Sequence, residues 1–113
     1  IHGDADLQIP VSGGDYHESI EDVINFWKEF NECTKNTFAE GSDENFDGNI
    51  WSTNLYSDCL NNINVEYVLL YGFDHNWPYF QENSFSNADI NGSAYIWSFL
   101  SRYDINGYRE GGQ

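Results

Sequence analysis

Apolar side chains recur along this chain with two different periods. From about Glu18 to Glu32, Ile20, Val23, Ile24, Trp27 and Phe30 or Asn31 fall three and four positions apart, which predicts a helix with one buried face. Ser19 or Asp15 is placed to cap its start, and Glu18, Glu21 and Asp22 lie near its positive end. A second helix is expected from about Asn91 to Tyr103, with Ala94, Ile96, Trp97, Phe99, Leu100 and Tyr103 as its apolar face. Between them, Ile50 to Tyr56 alternates as a short strand, and Asn61-Asn62 turns the chain into Val65-Glu66-Tyr67-Val68-Leu69-Leu70-Tyr71, the most strand-like run. Ile1 to Pro10 reads as a strand terminus entering a loop, with Gly3 permitting a tight turn and Pro10 fixing an extended exit. Thr34 to Asn49 and Gln81 to Asn87 are polar and are expected as loop and linker. The tail from Gly107 to Gln113 is expected to fray.

The order is strand end, helix, strand, strand, helix. The best strand then has one adequate neighbour, and a two-stranded sheet is marginal alone. Two apolar helices would be left without enough sheet to cover. The pattern therefore predicts a portion of a larger α/β domain.

Composition narrows the setting. With 113 residues the chain holds one domain. Eight Phe, eight Tyr and four Trp within a 40% hydrophobic composition can furnish a core. No run approaches 18 consecutive apolar residues, so no membrane span is expected. Nineteen acids against four bases give a net charge of -15, a field that repels phosphate backbones and anionic lipid heads; nucleic-acid and membrane-surface partners are not expected. There is no methionine and no signal-peptide pattern, so the chain reads as processed or as the back part of a longer one. Cys33 and Cys59 lack metal-ligand spacing, and neither a metal nor another cofactor is expected. They read as a disulfide in a secreted protein, closing about 25 residues and worth roughly 3 kcal/mol. The alternative is a pair of reduced, buried thiols.

Two stretches carry candidate chemistry. One is the loop after the best strand, Gly72-Phe73-Asp74-His75-Asn76-Trp77-Pro78. The other is His2-Gly3-x-x-Asp6-x-x-Ile9-Pro10 at the start. The latter resembles the segment after the penultimate strand of α/β-hydrolases, where such a run carries the acid of a catalytic triad. His75-Asn76-Trp77-Pro78 resembles the histidine loop of secreted esterases of the feruloyl esterase and polyhydroxybutyrate depolymerase type. Asn31-Glu32-Cys33, Tyr56-Ser57-Asp58-Cys59 and Ile96-Trp97-Ser98-Phe99-Leu100 are also similar to segments of that family, in the same order and over nearly the whole chain. Four positions depart from it. Phe73 and Asp74 stand where glycines usually precede the histidine, Tyr79 where a glycine usually follows Trp-Pro, and Leu100 where a second aromatic is usual.

The resemblance implies the C-terminal part of an α/β-hydrolase that acts on carboxylic esters, plant polysaccharide-linked or polyester. Serine is a poor nucleophile at neutral pH, so an imidazole must take its proton and later pass it to the leaving alcohol. A carboxylate on the second ring nitrogen fixes the tautomer and stabilises the imidazolium. In α/β-hydrolases the chain order is nucleophile, acid, histidine. Asp6 before His75 supplies the last two, with Asp4 as rival acid. No Gly-x-Ser-x-Gly occurs, so the resemblance implies that the nucleophile and oxyanion donors lie in a preceding portion, and this chain alone is expected to be inactive. His2 is expected to be packed or hydrogen-bonded and His17 to lie at the surface. Asp74 either raises the basicity of its neighbour His75 or faces solvent.

Other readings compete. Asp43-Glu44-Asn45-Phe46-Asp47-Gly48-Asn49-Ile50 matches the opening of a calcium loop, with Asn54 where a bidentate glutamate is expected. A non-catalytic acidic module binding calcium or carbohydrate would use Asp43, Asn45, Asp47 and exposed aromatics. Trp27 and Trp97 are expected in the core, leaving Trp51 and Trp77 as ligand candidates; Trp77 lines a substrate pocket or packs the loop. The third reading is an unrelated disulfide-stapled domain, which requires both helices to bury their apolar faces.

Overall fold

The structure, a computed structural model, describes residues 1–42, 50–78 and 90–109. The main sheet has four strands in the order β1-β4-β3-β2: β1 (His2–Gly3), β2 (Lys35–Glu40), β3 (Trp51–Ser57) and β4 (Val65–Leu70). β1 runs parallel to β4, while β3 is antiparallel to both β4 and β2. Helix α1 (Ile20–Phe30) lies between β1 and β2 in sequence, and α2 (Gly92–Leu100) follows β4. A hairpin of β5 (Tyr103–Asp104) and β6 (Gly107–Tyr108) closes the described chain.

Side chains alternate across a strand, so consecutive residues of β4 face opposite sides of the sheet. Val68 and Leu70 form the buried core with Ile90, and Trp51, Phe73 and Tyr95 pack around them beneath α2. Each such burial contributes about 1.5–3 kcal/mol. Tyr67 and Leu69 face the other way, toward α1, and with Asn54, Tyr56, Glu21, Ile24, Asn25 and Lys28 they line a cavity of about 420 Å³. The helices thus lie on opposite faces of the sheet.

Several expectations are corrected. The stretch from Thr34 to Asn49 is not all loop, because Lys35–Glu40 pairs with β3 over six positions. All six of its residues are exposed, so it carries no apolar alternation. The sheet has four strands instead of two, and β4 lies inside it with β1 and β3 on either side. The second helix stops at Leu100, and Gly107–Tyr108 returns to pair with Tyr103–Asp104 instead of fraying. The turn at Asn61 and Asn62 forms as expected, both residues adopting left-handed backbone (φ 57° and 58°) that asparagine tolerates better than most.

The larger correction concerns α1. Ser19 caps it, accepting from the Asp22 backbone N–H at 3.1 Å. Its apolar stripe, however, is turned outward. Trp27 is 48% exposed and Phe30 67%, Val23 and Phe26 are exposed as well, and no residue of the helix is fully buried. Facing the sheet are Glu21, Ile24, Asn25 and Lys28, the last with its ammonium 5.1 Å from the centre of the Tyr56 ring. Trp97 on α2 is likewise not core, at 69% exposed. Both helices leave apolar surface uncovered, which is the opposite of what a self-contained disulfide-stapled domain requires.

Cys33 and Cys59 form a disulfide, joining the end of α1 to the end of β3. Among the described residues no helix is long and apolar enough to cross a membrane.

Candidate active site

Asp6 is reached by a turn that leaves β1 and is stitched to the end of β4. The Asp4 backbone N–H donates to the Leu70 carbonyl at 3.0 Å, and that of Ala5 to the Phe73 carbonyl at 2.9 Å. Close approach here requires Gly3, since a Cβ at that position would lie 2.2 Å from the Phe73 carbonyl oxygen. The turn then folds back on the Asp6 side chain, whose Oδ1 accepts from the backbone N–H groups of Gln8 (2.9 Å) and Ile9 (2.8 Å). That leaves Oδ2 for a partner from elsewhere in the chain.

The partner is His75. Its Nδ1 lies 2.8 Å from Asp6 Oδ2, across a sequence separation of 69 residues. Asp6 is 5% exposed, while the His75 side chain is 49% exposed. The carboxylate accepts, so His75 Nδ1 carries the hydrogen, and in the neutral ring the lone pair falls on Nε2. An imidazole held in this tautomer, with a buried carboxylate behind it, can take a proton at Nε2.

Burial pushes the Asp6 carboxyl upward by desolvation. The Ile9 N–H, the His75 ring N–H and charge, and the Gln8 N–H outweigh it, so the group sits below its usual range. His2 stands beside the pair. Its Nε2 is 2.7 Å from the Ile9 carbonyl, to which it can only donate, and 3.6 Å from Asp6 Oδ2. It closes the turn around the carboxylate, in line with the hydrogen-bonded role expected of it.

The rival acid is elsewhere employed. Asp4 Oδ1 accepts from the Gly72 backbone N–H at 2.6 Å, at the entry to the histidine loop, where Gly72 has φ 71°. Asp74 faces solvent and accepts from the Asn76 side-chain amide. His17 is partly buried, with Nδ1 donating to the Glu18 carbonyl at 3.0 Å.

A pocket of about 310 Å³ opens over the pair, lined by His2, Asp6, Leu70, Phe73, His75 and Trp77. Trp77 is 56% exposed and its indole N–H donates to Ser93 Oγ at 3.1 Å. Trp51, the other ligand candidate, packs edge-on to Tyr95 at 6.1 Å and lies over Gly41, where a Cβ would collide with its ring. Trp51 is therefore a packing residue. The candidate calcium ligands Asp43, Asn45 and Asp47 lie outside the described residues, among which no cluster of three His, Cys, Asp or Glu side chains is arranged for a metal.

Sequence reasoning brings together Asp6, His75 and Trp77, but it missed Asp4, Gly92 and Ser93 as supports of the histidine loop. A backbone amide reaching a carboxylate 68 residues away leaves no local pattern. Compared with family models, with curated proteins and with solved structures, the chain matches none, so its likeness to α/β-hydrolase esterases rests on its motifs.

Proposed function

We propose that this chain is the C-terminal part of a secreted α/β-hydrolase that cleaves carboxylic esters, contributing the acid and the base of a Ser-Asp-His triad. The observation that carries the reading is the contact between Asp6 Oδ2 and His75 Nδ1, at the ends of two parallel-paired strands. Asp6 fixes the tautomer, His75 Nε2 takes the proton of a serine hydroxyl, and the imidazolium so formed protonates the leaving alcohol. On this reading the serine and its oxyanion donors are supplied by a preceding portion of the same enzyme. The outward apolar stripe of α1 supports this division, since it offers a surface for further protein to cover. The Cys33–Cys59 disulfide supports export. The substrates are hydroxycinnamoyl esters of plant polysaccharide or short polyesters, with Trp77 as one wall of the pocket.

The test is to express the full reading frame and follow p-nitrophenyl acetate hydrolysis. Asp6→Asn retains acceptors for Gln8 and Ile9, but it presents an amide N–H to His75 Nδ1 and so selects the wrong tautomer. A drop in kcat of about 10⁴-fold is expected for it, and at least as much for His75→Ala. An upstream frame without a serine elbow, or an Asp6→Asn variant within tenfold of the parent, sinks the proposal. So does turnover by the 113-residue chain alone that disappears with His75→Ala.

A further inference from the structure

We infer that the first turn of α2 is a positioning device for the histidine loop, in which Ser93 sets the Trp77 indole and Gly92 sets the backbone that carries His75. The loop from Gly72 to Pro78 lies beyond the end of β4 and has no ladder hydrogen bonds of its own. It is tied from outside at three places. At its entry the Gly72 N–H is held by Asp4 and the Phe73 carbonyl by the Ala5 N–H; at its middle His75 is held by Asp6. At its exit the Gly92 backbone N–H donates to the Pro78 carbonyl at 2.7 Å, and the Trp77 indole N–H to Ser93 Oγ at 3.1 Å.

The exit contact is backbone against backbone. Gly92 and Pro78 are both buried, and a Cβ at residue 92 would lie 2.7 Å from Pro78 Cγ and 2.9 Å from the Pro78 oxygen. Neither atom belongs to a flexible side-chain end, so any larger residue must push the loop away. The helix start itself is fixed independently, since Asn91 caps it through the Ala94 N–H at 3.0 Å. A rigid turn thus abuts the loop three residues from His75. Trp77, two residues from His75, is tethered at its N–H edge and exposed over much of the rest, so the ring is pre-set beside the imidazole. Pre-setting a flat aromatic wall reduces the ordering cost of holding a ring-bearing substrate, a sugar or an aryl group, against it. This last step rests on the esterase reading; the positioning itself does not.

The test is made on the protein expressed from the full reading frame, by ¹H–¹⁵N and imidazole ¹H–¹³C spectra. Trp77→Phe assigns the indole signal. Ser93→Ala is expected to speed exchange of the Trp77 indole proton about threefold to tenfold, the span of one hydrogen bond's net worth, and Ser93→Thr to restore it. Gly92→Ala is expected to move the His75 ring signals and leave those of His17, beside α1, in place. An indole proton indifferent to Ser93→Ala, or His75 signals unmoved by Gly92→Ala, overturns the inference. Should Gly92→Ala fail to fold, the exposed Ser93 pair decides alone. None of these readouts needs ester turnover, so an inactive full-length enzyme with a Ser93-dependent indole retires the esterase reading and leaves the device standing.

Discussion

Replacing Cys33 and Cys59 by alanine together removes a link between residues 26 apart in sequence. In the folded chain the neighbouring hydrogen bonds survive that change. Thr34 still binds Ser57 and Asp58 through its N–H (3.2 Å) and hydroxyl (3.1 Å), and the Leu60 N–H still reaches the Asn31 carbonyl at 2.9 Å. The effect therefore falls on the unfolded chain, which regains the freedom that closing the loop denies it. For a loop of this size the chain-entropy relation gives about 3.5 kcal/mol. Unfolding entropy near the midpoint is about 2.1 cal/mol/K per residue, hence about 240 cal/mol/K for the chain, and the expected fall in Tm is about 15 °C. Circular dichroism melts of the parent and the double variant, with the parent also melted under reductant, measure it directly. A fall of less than about 4 °C would refute the reasoning and locate the stabilisation in contacts that the alanines retain.

Two further outcomes follow from the strand crossing. The Asp6 carboxyl has a folded pKa below the unfolded value of about 3.9, so its ionised form stabilises the fold above that value, and the contribution is lost as pH falls through the folded pKa. Urea midpoints of parent and Asp6→Asn should therefore differ more at pH 6 than at pH 3; an equal gap at both would contradict the hydrogen-bonded carboxylate. Gly3→Ala should destabilise by about 1–3 kcal/mol, because its methyl meets the Phe73 carbonyl at 2.2 Å and β1 must part from the loop. A denaturant midpoint that is unchanged or higher would show that this approach is not close.

The meeting of Asp6 and His75 was legible because each follows a strand end and sits in a motif of several residues, so short local patterns carried it. The helices were legible as helices. What the 3.6-residue period could not say is which neighbour the apolar stripe meets. Val23, Trp27 and Phe30 form the expected stripe, yet Ile24 with the polar Glu21, Asn25 and Lys28 faces the sheet. Periodicity reports a face, and only the third dimension reports its direction. β2 was hidden for a related reason: an edge strand exposed on every residue leaves no alternation to read, and backbone pairing alone holds it. No local pattern marks Gly92, because the Pro78 backbone that requires it is brought there by the fold.

β1 pairs with β4 through only two positions, His2 with Leu69 and Gly3 with Leu70, whereas β3 engages β4 over six and ends near the disulfide at the far end of the sheet. Resistance to local opening is therefore graded along the molecule. Amides of Asp4 and Ala5 should exchange with solvent through small excursions that leave the β2–β3–β4 meander closed, while those within the meander should wait for the whole unit to open. Since Asp6 rides on the weakly held end, detaching β1 separates Asp6 from His75 without opening the meander. On mild heating, the Asp6–His75 pairing would then disappear while most of the ellipticity remains.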